Sequence, residues 1–136
     1  MLESKALRWA LEIDPDVELF CDPDKLERVF DNLLRNAINY SYRNSDIQLV
    51  LKRGEAEVLI FVKNRGKTIP PEKLKRIFEQ FFRLDSSRAT NTGGAGLGLA
   101  IAREIVELHG GTIHADSSAE SVLFAVTLPM ENQKNV

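Results

Sequence analysis

The chain has one cysteine, Cys21, and no apolar run long enough to cross a membrane. A lone cysteine cannot form an internal disulfide, and no signal peptide is recognisable, so we expect a reducing cytoplasm and a small core residue at this position. The net charge is −2 and the lysines and arginines are scattered, which predicts no nucleic-acid partner. With 136 residues, 43% of them hydrophobic, the chain suffices for one domain with its own core.

Glycine is scarce until late in the chain, where six of the eight glycines lie between Gly93 and Gly111. The stretch Thr92–Ile101 passes from a polar loop through four glycines into helically spaced apolar residues, and Gly110 and Gly111 predict the end of that helix. Unpaired N–H groups and the dipole of a helix N-terminus favour an anion such as a phosphate. A plain flexible joint is the alternative. The spacing matches neither a Walker A nor a Rossmann motif.

The clearest element is an amphipathic helix that Asp22 caps and Pro23 opens. Its apolar stripe comprises Leu26, Val29, Phe30, Leu33, Leu34, Ala37 and Ile38. A polar row of Asn32, Asn36 and Asn39 follows one flank of that stripe. This row is either a solvated flank or a set of amide oxygens that face a cleft and hold hydrated Mg²⁺ beside substrate phosphates.

Alternating patterns predict strands around the helices. The predicted strands are Arg8–Ile13, Glu18–Cys21, a hairpin of Ile47–Arg53 with Val58–Lys63, and a closing pair of Thr112–Ser117 with Ser121–Leu128. The stretch Asn64–Pro71 interrupts the pattern, and a short amphipathic helix follows it. Residues 83–92 are polar and lack periodicity, which is typical of a lid or a linker.

Four motifs together resemble the catalytic and ATP-binding domain of bacterial sensor histidine kinases, a member of the GHKL superfamily with gyrase, Hsp90 and MutL. The motifs are an N box at Leu26–Tyr40, a first G box at Asn64–Pro70, an F box at Phe78–Arg83 and a second G box at Gly93–Leu99. Around Lys67–Pro70 and in the stretch 83–99 the chain is similar to sensor kinases of vancomycin resistance.

The resemblance implies an α/β (α+β) two-layer sandwich, the Bergerat ATP-binding fold. Its mixed sheet would be covered on one face by three helices near Asp24–Ser41, Glu72–Phe82 and Gly98–His109. Residues 22–129 would form the catalytic domain, residues 1–21 a remnant helix and the first strands of the same domain, and residues 130–136 a polar tail.

The resemblance also implies site residues, with ATP and Mg²⁺ as cofactors. Asn36 would ligate Mg²⁺, and Arg83 and Arg88 would approach the terminal phosphate. The remaining nucleotide-binding residues would be Asn32, Asn39, Tyr40, Asn64, Gly66, Ile69, Gly94, Gly96, Leu97 and Gly98. We expect Phe78, Phe81 and Phe82 to anchor the base of the lid to the core.

Three stretches of the sequence depart from the family pattern. Its Asp-x-Gly-x-Gly is here Asn64-Arg65-Gly66-Lys67-Thr68, so an amide replaces the adenine-binding acid and a threonine replaces the second glycine. Asn39 stands where many relatives carry lysine, and Val122-Leu123 replaces a common threonine pair. The amide oxygen of Asn64 can still accept a hydrogen bond from adenine, while Thr68 should stiffen the turn.

The resemblance implies transfer of a phosphoryl group to a histidine on a separate dimerisation domain. Asn32 occupies the position of the general base in the ATP-hydrolysing branch and cannot accept a proton at neutral pH, which disfavours hydrolysis. An ATP-hydrolysing switch and a nucleotide-binding regulatory module without transfer activity remain alternatives. His109 and His114 do not match an acceptor site, and we interpret both as structural.

The expected partners are the histidine-containing dimerisation domain of the same kinase and a downstream response regulator. The chain would be the cytoplasmic, C-terminal part of a membrane-anchored homodimeric kinase.

Overall fold

A computed structural model describes residues 5–82 and 98–130. Five strands form one sheet in the order β1-β2-β3-β5-β4, with β1 parallel to β2 and every other neighbouring pair antiparallel. The strands are β1 Arg8–Ile13, β2 Asp46–Arg53, β3 Glu57–Arg65, β4 Thr112–Ser118 and β5 Ser121–Pro129, and the helices are α1 Pro23–Tyr40, α2 Pro71–Leu74 and α3 Gly98–Leu108. The predicted mixed sheet and both predicted antiparallel pairs are confirmed.

The core lies between one face of the sheet and the helices α1 and α3. Strands β3 and β5 alternate, so every second side chain points into this core, as in the buried series Val58, Ile60 and Val62. Helix α1 buries Leu26, Val29, Leu33 and Ala37, and α3 buries Ala102, Ile105 and Val106. Each large apolar side chain buried in this way contributes about 1.5–3 kcal/mol before the entropy of ordering is subtracted.

The start of α1 follows the predicted capping pattern. The Asp22 carboxylate accepts hydrogen bonds from the backbone N–H groups of Asp24, at 3.1 Å, and Lys25, at 3.2 Å. Pro23 occupies the first turn, where a missing N–H costs nothing. His109 ties this end of α1 to α3: its Nε2 accepts from the Asp22 N–H at 3.1 Å and its Nδ1 donates to the Ile105 carbonyl at 2.9 Å. These contacts agree with a structural role for His109.

The end of α1 is capped by a residue far away in sequence. The last turn of the helix contains no basic side chain. Instead the Lys5 ammonium donates to the carbonyl oxygens of Ile38, Asn39 and Ser41, at 2.7, 2.8 and 3.1 Å. A cation at this position offsets the negative end of the helix dipole and partners carbonyls that the helix leaves free. The helix is therefore fixed at both ends.

Helix α3 ends at the predicted glycine pair. Gly110 has a φ of 80°, which favours glycine, and the Gly111 N–H donates to the Val106 carbonyl at 2.9 Å. In the part of the chain that is described, no helix combines the length and the apolarity that crossing a bilayer requires.

Three predictions of local structure were wrong. Residues 18–21 form no strand, because Leu19 and Cys21 pack partly against the core without backbone pairing. The helix predicted over Glu72–Phe82 ends at Leu74, and turns with i→i+3 hydrogen bonds continue the chain, since such turns satisfy nearly the same apolar spacing. Residues 5–7 of the predicted remnant helix are not α-helical, and residues 1–4 lie outside the described part.

Candidate functional site

The predicted polar row lies along the half-buried flank of α1. Asn32, Asn36, Asn39 and Tyr40 are each partly exposed, between the buried stripe and the solvent-facing side of the helix. The eight-residue separation of Asn32 from Tyr40 corresponds to about 12 Å along the helix axis. The row would thus form one wall of the predicted nucleotide site, with Asn36 near its middle.

The start of α3 meets this wall at Asn32. Gly98 is the first residue of α3, and a Cβ built on it would lie 3.3 Å from the Asn32 Oδ1. The positive end of the α3 dipole therefore lies beside Asn32, at one end of the row. This position favours a negatively charged group. Five other predicted site residues lie outside the described part of the chain: Arg83, Arg88, Gly94, Gly96 and Leu97.

The other end of the site contains a buried amide. Asn64 is only 2% exposed and lies within β3, because the strand continues to Arg65 instead of ending before Asn64 as predicted. Its neighbours on the adjoining strands are Ile47 and Val122, both apolar and buried. Within residues 5–82 and 98–130, the Asn64 Nδ2 has no hydrogen-bond partner. A buried donor of this kind calls for an acceptor that the described protein atoms do not supply.

Gly66 brings Tyr40 and Asn64 together. A Cβ on Gly66 would overlap the Tyr40 carbonyl oxygen and lie 3.0 Å from the Asn64 Nδ2. Only glycine permits such an approach of two backbone segments. The end of α1, the end of β3 and the segment that follows Gly66 therefore converge around the buried amide.

Ile69 is buried and held by a hydrogen bond that the sequence did not reveal. Its N–H donates to the Ser117 hydroxyl oxygen at 2.9 Å, and that hydroxyl donates to the Ser121 carbonyl at 2.7 Å. The N–H of Glu120 donates to the Thr68 hydroxyl oxygen at 2.8 Å. No local sequence pattern indicated the roles of Ser117 and Glu120, because their hydrogen-bond partners lie about 50 residues earlier in the chain.

The phenylalanines near the predicted lid differ in their surroundings. Phe78 packs edge-on against Phe124, with ring centroids 6.1 Å apart, so its predicted contact with the core is confirmed. The Phe82 ring lies 4.8 Å from the Arg76 guanidinium. Phe81 has a φ of 65° and is 64% exposed, so the prediction that it anchors the lid to the core was wrong.

The pKa values of two described side chains, Cys21 and Tyr42, are shifted. Burial raises the pKa of the Cys21 thiol and the neighbouring Asp22 carboxylate raises it further, which agrees with an unreactive packing residue. Desolvation and then the Glu120 carboxylate raise the pKa of the Tyr42 phenol, which donates a hydrogen bond to that carboxylate. Among the described residues, no three His, Cys, Asp or Glu side chains form a group that could hold a metal ion.

Comparison with known proteins agrees with this geometry. Residues 21–132 match the family described as histidine kinase-, DNA gyrase B-, and HSP90-like ATPase. The sensor protein VanSC of Enterococcus gallinarum is 51% identical over 95% of this chain and 36% of its own length. The sensor protein VanS of Enterococcus faecium is 51% identical over 84% of this chain and 29% of its own length. The chain thus spans about a third of these relatives.

A solved structure leads to the same family. The catalytic domain of histidine kinase ThkA superposes with a TM-score of 0.84 and 30% identity, over 98% of this chain and 85% of its own.

Proposed function

We propose, since this chain belongs to the family of histidine kinase-, DNA gyrase B- and HSP90-like ATPases, that it binds Mg²⁺-ATP and presents the γ-phosphoryl group to a histidine of a separate dimerisation domain. The chain is a catalytic domain of the sensor histidine kinase type. The observation that carries the nucleotide proposal is the buried Asn64 amide, whose Nδ2 lacks a partner in the described part of the chain.

The residues around Asn64 fit an adenine ring. A side-chain amide carries a donor and an acceptor, which suits the neighbouring acceptor and amino donor on the edge of adenine. Ile47, Ile69 and Val122 are buried and apolar, so this end of the site suits a flat, largely apolar base. The contact of Gly66 with Tyr40 supports the proposal, because it keeps the floor of the site free of a side chain.

Asn36 would hold the Mg²⁺ ion. Its amide oxygen is a neutral, hard ligand of the kind Mg²⁺ accepts when phosphates supply the negative charge. Asn32 and Asn39 would lie beside the nucleotide, and the start of α3 at Gly98 would face the phosphates. Arg83, Arg88 and the backbone at Gly94, Gly96 and Leu97 complete the proposed phosphate site.

The work of this chain would be positioning and charge neutralisation. Bound Mg²⁺-ATP supplies the phosphoryl group and a leaving ADP, and the chain's residues hold it in line with the acceptor nitrogen. Asn32 stands where a general base for water would be needed and has no basic group at neutral pH, so an ATP-hydrolysing switch is the weaker alternative.

The remaining partners belong to the whole kinase. Histidine kinase ThkA has been solved in complex with a response regulator protein, TrrA. We propose by analogy a response regulator that receives the phosphoryl group from the dimerisation domain of this kinase. We also propose that the full-length protein is a membrane-anchored homodimer whose catalytic domain lies in the cytoplasm.

Titration with ATP and GTP tests the base site directly. Asn64→Ala should weaken ATP binding by about 1–3 kcal/mol, the range for a buried partner left unsatisfied. Asn64→Asp should retain ATP and reject GTP more strongly than the parent, because a carboxylate cannot donate to the guanine carbonyl. Gln48→Ala, an exposed amide on β2, is the control and should bind as the parent does.

The result for Asn64→Ala decides where the base lies. If this variant binds ATP as tightly as the parent, the placement of the base at Asn64 is wrong. A nucleotide-binding regulatory module without transfer activity would pass this titration, so it is separated from the kinase by phosphotransfer to a histidine domain.

A further inference from the structure

The hairpin of β4 and β5 is hydrogen-bonded to the segment that leads from Gly66 to Ile69. Strands β4 and β5 are joined through Ala119 and Glu120, since Ser118 pairs with Ser121. The Gly66 N–H donates to the Glu120 carbonyl at 3.1 Å, and the Ile69 N–H donates to the Ser117 hydroxyl. Both contacts join the turn to a segment about 50 residues earlier in the chain.

Thr68 supplies a third contact in the opposite direction. Its hydroxyl oxygen accepts from the Glu120 N–H, so Glu120 uses its backbone donor and its backbone acceptor on the same segment. Thr68 itself is exposed, so its side chain is not part of the buried core. Its side chain joins two surface segments and does not fill the core.

The turn adopts an unfavourable backbone conformation. Ala119 has a φ of 49° and Glu120 a φ of 58°, in the left-handed region where glycine, asparagine and aspartate are preferred. Two neighbouring residues with this geometry give the two-residue turn that suits the twist of a hairpin. The same geometry directs both backbone groups of Glu120 toward the segment from Gly66 to Thr68. Strain of this kind persists where the surrounding contacts hold it in place.

The Glu120 side chain extends the connection to α1. Its carboxylate accepts a hydrogen bond from the Tyr42 phenol, and the Tyr42 N–H donates to the Arg65 carbonyl at 2.8 Å. Tyr42 lies two residues after the end of α1, which carries the proposed nucleotide-binding wall. The turn thus links the end of α1, which carries the proposed nucleotide-binding residues, to the segment Gly66–Ile69 beside the proposed position of the adenine base.

We propose that Thr68 and Ser117 are positioning residues that fix the segment Gly66–Ile69 against the nucleotide base. This inference rests on the proposed nucleotide-binding function. Gly66 contacts Tyr40 and Asn64, and Ile69 is buried at the same end of the site. A shift of the segment would therefore change the distance from Ile69 to the Asn64 amide. The second glycine of the family pattern would give this position more backbone freedom than Thr68 has. Here the hydroxyl of Thr68 ties it down.

The test compares nucleotide affinity with folding stability in the intact 136-residue chain. Thr68→Val keeps the shape of the side chain and removes its hydroxyl, and Ser117→Ala removes the acceptor of the Ile69 N–H. We expect each to weaken binding of Mg²⁺-ATP about three- to tenfold, the ratio that corresponds to one net hydrogen bond. Hydrogen exchange at the Ile69 amide should become faster in Ser117→Ala.

Two variants serve as controls. Thr68→Ser retains a hydroxyl and should restore the parent affinity. Ser118→Ala removes an exposed hydroxyl beside Ser117 and should change neither affinity nor exchange. The double variant Thr68→Val/Ser117→Ala should lose less than the product of the single effects, because both contacts hold one segment.

Three results would overturn the inference. Parent-like ATP affinity in both single variants leaves the proposed function standing and removes the positioning role. A lowered unfolding midpoint with unchanged affinity assigns the hydroxyls to folding alone. If the parent itself does not bind Mg²⁺-ATP, the proposed function fails and this inference fails with it.

Discussion

The Tyr40 carbonyl oxygen occupies the space that a side chain on residue 66 would need. The last turn of α1 and the residue that follows β3 are therefore in direct backbone contact. This contact sets the distance between the Asn-bearing helix and the buried Asn64 amide, and it exists only because residue 66 is glycine.

Gly66→Ala should therefore destabilise the chain. The added methyl meets a backbone carbonyl that cannot rotate away, and overpacking of this kind costs about 1–3 kcal/mol. Urea unfolding measures the loss, and ATP titration of the folded fraction should show weaker binding.

Gly98→Ala is the matched contrast. Among the described residues its methyl would meet the Asn32 side chain, with the Oδ1 nearest at 3.3 Å, and that amide can rotate away. Alanine also favours a helix over glycine, so the free energy of unfolding should stay the same or rise by up to about 1 kcal/mol. If both variants lose the same free energy of unfolding, the contact of Gly66 with the Tyr40 carbonyl is not the cause of the loss in Gly66→Ala.

Asn36→Ala tests the metal ligand. The residue lies on the half-buried flank of α1, so truncation should leave the core intact while the Mg²⁺-dependent part of ATP binding is lost. The measurement is an ATP titration with Mg²⁺ and again with EDTA. Glu27→Ala, on the opposite, exposed side of α1, should retain the full response to Mg²⁺. An unchanged response in Asn36→Ala would remove Asn36 from the metal site.

Lys5→Met tests the distant cap of α1. The variant keeps the apolar stem and removes the donors that reach Ile38, Asn39 and Ser41. We expect a loss of about 1–2 kcal/mol in urea unfolding, from the helix dipole and the lost hydrogen bonds. Lys52→Met, which removes an exposed ion pair with Glu12, should cost less than about 0.5 kcal/mol. Equal losses would show that the cap contributes nothing beyond a surface charge.

Periodicity predicted the elements whose cause is local. The stripe on α1, its Asp22 cap and the glycine stop after α3 depend on residues within a few positions of one another, and the structure contains all three. The helix predicted over Glu72–Phe82 was wrong, because i→i+3 turns bury Ile77 with the same spacing.

Local sequence patterns could not predict the contacts that assemble the site. The parallel pairing of β1 with β2, the reach of Lys5 to α1 and the hydroxyl bond of Ser117 each join residues more than 30 positions apart. The resemblance to sensor histidine kinases supplied the candidate residues, whereas their convergence at Tyr40, Asn64 and Gly66 came only from the fold.

The most direct measurement of the central claim uses radiolabelled Mg²⁺-ATP, with and without a histidine-containing dimerisation domain of the same kinase. Alone, the chain should bind the nucleotide and retain no phosphate on protein, because neither His109 nor His114 matches an acceptor site, and His109 is held by structural hydrogen bonds. With the domain present, label should appear on it as acid-labile phosphohistidine. Stable label on the isolated chain, or ATP binding without transfer to the added domain, would contradict the account.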